Sequence, residues 1–183
     1  MTAPNPMRDH IPPFWGGPLS EDDYAALAAS WITRELADEA MLRRVNAQDG
    51  RDIVGQKGSI DCAGILFPYY WPGEPGVLNY RIRRDNPDFK FAKDGKAKPD
   101  KKYLGAPSSG NRLYIPHGIS LDQLADVNIP TAIVEGEKKA LALWRLAGHE
   151  IEQPRFIPLG IAGVWSWRGI IGKPADRKVG GLT

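Results

Sequence analysis

The residues best placed to do chemistry are Glu135, Gly136, Glu137, Lys138 and Lys139, which follow the apolar run 129–134. A carboxylate at a strand tip, followed by glycine, sits on backbone that can turn sharply and let a ligand approach. If that strand belongs to a parallel sheet, its carboxyl end is where open α/β sheets gather their sites. Glu135 could there hold a divalent cation or move a proton in phosphoryl chemistry, with Lys138 and Lys139 rising on the first helical turn. The same spacing also describes a surface glutamate beside a helix N-terminus, stabilised by the macrodipole. Spacing alone leaves both readings open.

A second concentration lies upstream. Residues 81–102 carry nine bases and four acids, among them Arg81, Arg83, Arg84, Lys101 and Lys102, beside Tyr80, Phe89, Phe91 and Tyr103. Cations interleaved with aromatics suit phosphate backbones and bases; a lysine-rich, solvated hairpin tip has the same composition. Tyr80-Arg81-Ile82-Arg83 alternates apolar and basic residues, which places Arg81 and Arg83 on one strand face.

Other motifs are weaker. Gly105 and Gly110 have the spacing of a phosphate loop, but Asn111 and Arg112 replace its Lys and Ser/Thr, so a plain loop is expected. Cys62 has no histidine near it in sequence and reads as a buried thiol. Trp165 and Trp167 could stack bases, although packing is the commoner use. Three widely spaced histidines and one cysteine argue against a structural zinc site.

The elements that must position these residues follow from the patterning. Residues 1–19 hold five prolines and read as an irregular arm. Ser20 before Glu21, Asp22 and Asp23 starts a helix, and Thr33 caps a second with Leu36, Ala37 and Ala40 on its stripe. Residues 46–60 read as loop with at most a short strand. Ile65, Leu66, Phe67 and Tyr69 form a strand, paired across Pro-Gly turns with a second over 77–83. Tyr103-Leu104 and 113–115 are two more short strands. A short helix over Leu121, Leu124 and Ala125 precedes a buried strand over 129–134, a helix through Ala140, Leu141, Leu143, Trp144 and Ala147, and a strand over 156–160. Strand, helix, strand is a βαβ unit, whose crossover makes its strands parallel.

With 183 residues the chain can bury a core without staples. The lone cysteine fits a reducing, cytoplasmic setting, and no apolar run is long enough for a membrane span. The net charge of +2 is uninformative, but residues 1–50 are acidic, with eight acids and four bases, opposite in sign to the 81–102 block.

Ala132-Ile133-Val134-Glu135-Gly136-Glu137-Lys138-Lys139-Ala140 closely resembles the first motif of Toprim domains, the fold shared by topoisomerases and primases. Its Glu-Lys-Lys-Ala ending is similar to the Toprim-like proteins of phages, plasmids and other mobile elements, which often adjoin replicative helicases. The segments at 64–69, 80–83, 102–104, 112–116 and 160–167 resemble theirs too, so the likeness covers about residues 30–168. It implies an α/β fold in which N-terminal helices and an antiparallel β region lead into the first βαβ part of a Toprim-like parallel sheet. The divisions expected are an arm with helices over 1–45, an antiparallel region with the basic hairpin over 46–120, and a partial Toprim-like domain over 121–183.

The resemblance also implies that Glu135 is the catalytic or magnesium-binding carboxylate (Mg2+ as cofactor), with Lys138 beside it. Arg81, Arg83, Arg84, Lys101, Lys102, Tyr103 and Arg112 are the expected contacts to single strands of DNA or RNA, and a replicative helicase domain is the expected protein partner. The family pairs its glutamate with an Asp-x-Asp motif on a later strand, and none follows Glu135 here. The expected function is therefore the Toprim-bearing N-terminal part of a mobile-element primase or replication protein, inactive as this shortened chain. A non-catalytic nucleic-acid or partner-binding module and a Toprim-type nuclease fragment are the alternatives.

Overall fold

A computed structural model describes residues 15–163 apart from 92, 93, 108 and 152. Trp165 and Trp167 lie outside the described residues. In chain order the elements are α1 (Glu21–Ala28), α2 (Arg34–Glu39), β1 (Arg43–Val45), α3 (Ala47–Val54), β2 (Gly64–Tyr69), β3 (Asn79–Arg84), β4 (Asp88–Phe91), β5 (Ala97–Asp100), β6 (Tyr103–Gly105), α4 (Leu121–Ala125), β7 (Thr131–Glu135), α5 (Glu137–Ala147) and β8 (Ile157–Ile161).

The first two helices begin where their caps sit. The Ser20 hydroxyl accepts from the Asp23 N–H while Asp23 reaches back to the Ser20 N–H, and the Thr33 hydroxyl accepts from the Leu36 N–H. The 46–60 stretch departs from the loop expected there: Asn46 caps α3, and Gly55 ends it in the left-handed region at φ +60°.

A four-stranded antiparallel sheet in the order β1-β2-β3-β6 forms the middle of the molecule. Its inner strand β2 is buried along its whole length, because each face carries a core. Ile65, Phe67 and Tyr69 pack on one side with Leu27, Ile32 and Leu36 from the N-terminal helices and Leu141, Trp144 and Ile157 from the βαβ unit. Leu66, Ile82 and Leu104 pack on the other with Val45, Val54 and Cys62. The 1–45, 46–120 and 121–183 stretches therefore share the first core.

β7 and β8 pair in parallel around α5, as the βαβ pattern requires. On the far side of β8, Tyr114 and Gly160 exchange two backbone hydrogen bonds of 2.8 Å, and this bridge is all that forms of the strand expected over 113–115. β7 is not the buried strand expected: Ala132 and Val134 are half-buried while Thr131, Ile133 and Glu135 face outward. Among the described residues no helix is long and apolar enough to cross a membrane.

Candidate nucleic-acid interface

Gly136 makes the turn from β7 into α5. Its φ of +93° is a conformation side-chain-bearing residues rarely adopt, and its N–H donates to the Ile161 carbonyl at 2.9 Å, fastening the turn to the end of β8. Glu135 ends β7 at the carboxyl edge and is exposed. Among the described residues no ion pair joins it to Lys138 or Lys139.

The carboxylate that is built into the structure is its neighbour. Glu137 opens α5 and turns inward, only 1% exposed. Its Oε1 accepts from the Tyr69 hydroxyl at 2.6 Å and from Arg81 Nη1 at 2.7 Å, while Oε2 is buried without a partner among the described residues. Burial, with the Glu137 charge, pushes the Tyr69 hydroxyl well above the ordinary tyrosine range. Burial disfavours the Arg81 charge, but Glu137 and Tyr69 outweigh it and its pKa is raised. Sequence reasoning gives the chemical role to Glu135 and none to Glu137. The signal was there: Glu137 heads the stripe of Ala140, Leu141, Trp144 and Ala147, three, four, seven and ten residues on, so it lies on the helix face that is buried.

Arg81 and Arg83 do share a face of β3, as their alternation required, yet their surroundings differ. Arg81 is neutralised by Glu137 and lies 5.2 Å from the Tyr103 ring centre. Arg83 is half-buried and forms no ion pair among the described residues, and neither do Lys102 and Lys138. Arg83 and Lys102 lie close enough to Lys138 to act on its charge. Burial, with the charges of Arg83 and Lys102, lowers Lys138 below the ordinary lysine range. The structure thus brings Arg83 and Lys102 from the basic block together with Lys138 from the Glu-Gly motif.

Three of the other expected contacts are placed differently. Arg84 is a correction: its side chain is 0% exposed, and it donates to the Asp61 and Asn86 carbonyls and to Asp88 at 3.2 Å. Those bonds clamp the base of the β4–β5 hairpin and leave the guanidinium no access to a nucleic acid. Tyr103 is half-buried, its ring 6.4 Å from that of Phe67, and burial followed by the Glu137 charge raises its hydroxyl pKa. It packs between strands and does not offer a free stacking surface. Arg112 stands apart on the loop after β6, exposed, with Nε donating to the Ser109 carbonyl at 3.2 Å. Lys101 is exposed at the turn between β5 and β6, next to Lys102.

The basic block itself forms a two-stranded wing. Phe89 faces Pro99 and Phe91 faces Ala97 on one side, with Lys90 facing Lys98 on the other. Phe89 and Phe91 are 64% and 80% exposed. Cys62 is a buried thiol, raised by burial, as expected.

The magnesium implied by the Toprim resemblance does not fit the residues present. Glu135 is exposed, and among the described residues no three His, Cys, Asp or Glu side chains are gathered as a ligand set. One carboxylate is a poor magnesium site without further carboxylates or phosphates. Comparison with known proteins gives no match to any family profile, curated protein or solved structure.

Proposed function

We propose that this chain is a nucleic-acid-binding module of the Toprim-like kind, part of a replication protein of the primase type, which holds single strands by their phosphates. The observation that carries this reading is the trio Arg83, Lys102 and Lys138: Arg83 pairs across the sheet with Tyr103, next to Lys102, and both charges act on Lys138. Like charges held together without carboxylate partners raise the energy of the empty site, and phosphates entering there would lower it. The wing adds two exposed aromatic rings beside lysines, the combination on which bases stack while the backbone is neutralised. Phosphate contact of this kind needs no metal, and magnesium would require ligands from outside the described residues.

The test is fluorescence anisotropy of a labelled single-stranded oligonucleotide across a salt series. For single strands the logarithmic slope is about −0.7 per phosphate neutralised, so loss of three contacts makes it shallower by about 2. The variant Arg83→Glu/Lys102→Glu/Lys138→Glu should bind weakly with that shallower slope, and Phe89→Ser/Phe91→Ser should weaken binding without changing the slope. An unchanged affinity and slope in the triple variant would refute the reading. A second reading, docking of a partner protein through the wing, is favoured by the exposure of Phe89 and Phe91. It predicts no oligonucleotide binding at all.

A further inference from the structure

A small recess of about 200 Å³ lies between the antiparallel sheet and the end of β8. Tyr69, Asn79 and Arg81 form its floor; the loop after β6, through Gly105, Ser109 and Arg112, and Ala162 beyond β8 form its walls. Among the described residues two arginines and no carboxylate line it. Arg81 is held from behind by Glu137, and its five N–H donors exceed what that carboxylate and Tyr69 take up. Arg112 has only Nε engaged, by the Ser109 carbonyl, among the described residues. Two arginines that line one small space offer guanidinium donors suited to the oxygens of a phosphate.

Size decides what part of a ligand enters. Pockets that enclose whole small molecules run from about 300 to 1,000 Å³, so this recess takes a phosphate group and not a whole nucleotide. Position decides what the phosphate is attached to. Arg81 and Arg83 are two residues apart on one face of β3, about 7 Å along the strand, so the recess sits at one end of the proposed phosphate track. We propose that the Arg81–Arg112 recess binds the terminal phosphate monoester of a nucleic-acid strand whose backbone lies on Arg83, Lys102 and Lys138. This rests on the nucleic-acid reading above. A monoester has three free oxygens for the two guanidinium groups, whereas an internal phosphodiester has two and must leave room for the chain to continue.

The experiment compares oligonucleotides of one sequence carrying a 5′-phosphate, a 3′-phosphate, or hydroxyls at both ends, with inorganic phosphate and a nucleoside monophosphate as competitors. One phosphorylated end should bind roughly tenfold more tightly than the hydroxyl strand, the worth of one charge-assisted hydrogen bond. Arg112→Ala, at an exposed loop position, should abolish that preference without lowering the melting temperature. Equal, salt-sensitive binding of all three strands overturns the inference and leaves the nucleic-acid reading standing. A preference that survives Arg112→Ala places the phosphate elsewhere and also overturns it. Binding of free phosphate or the mononucleotide as tightly as the strand end overturns the strand as its source. If no strand binds, the nucleic-acid reading falls and takes the inference with it.

Discussion

Replacing Glu137 by leucine removes the carboxylate that pairs with Arg81 and leaves a guanidinium whose side chain is only 15% exposed. Removing one partner of a buried pair costs about 3–5 kcal/mol, and the residual exposure of Arg81 places this case near the lower limit, about 3 kcal/mol. The Tyr69 hydroxyl loses its acceptor in the same substitution. For a chain of this size each kcal/mol lowers the melting temperature by about 2–4 °C, so Glu137→Leu should melt roughly 6–12 °C below the parent. Thermal melts followed by circular dichroism at neutral pH measure this directly. Arg81→Met should cost a similar amount. The double variant Arg81→Met/Glu137→Leu, with no charge left unpaired, should lose about as much as one single substitution and not their sum, a coupling of about 3 kcal/mol. Glu135→Gln is the internal control: two residues away and exposed, it should change stability by no more than about 0.5 kcal/mol. The reasoning fails if Glu137→Leu melts within about 2 °C of the parent, or if the double variant loses the sum of the two singles.

Lys138 titrates below its unfolded value of 10.5, because burial and the charges of Arg83 and Lys102 disfavour its charged form. Over the window between the lowered value and 10.5 the unfolded chain binds more protons, so stability rises with pH there. Lys138→Met should flatten that rise and melt no lower than the parent at neutral pH, while weakening oligonucleotide binding; a steep loss of stability would contradict the crowding of charge. Gly136→Ala tests the turn. A methyl there meets nothing within 4 Å, so its cost is the conformational cost of φ +93° alone, about 1–3 kcal/mol, read as a lowered melting temperature; an unchanged melt would show that the turn can be made at another φ.

The βαβ unit, both N-terminal caps and the strands at 64–69 and 79–84 were legible because each rests on a local rule: apolar period, cap chemistry, or alternation. The helix at 47–54 was not, since Ala47 to Val54 has few apolar residues and a glycine inside. Gly50 is there for tertiary reasons: a Cβ would come 2.2 Å from the Cys62 carbonyl. Asn46 and Gly55 marked both ends of that helix and carried the signal that its composition hid. At the site, alternation correctly put Arg81 and Arg83 together, but only the packing of α5 onto the sheet decides that Glu137 neutralises one and leaves the other. Arg84 could not be told from its neighbours in sequence, because its burial depends on where the hairpin beyond it folds back.

A sheet with a core on each face binds the two halves of the molecule into one unfolding event. Stripping the helices from one side would uncover Ile65, Phe67 and Tyr69 of β2; stripping α3 from the other would uncover Leu66 of the same strand and Ile82 of β3 beside it. Neither layer can open far without loosening the strands the other depends on. In hydrogen exchange, the amides of β2 should therefore open only with global unfolding, whereas those of the exposed β4–β5 wing exchange by local fraying that leaves both cores intact.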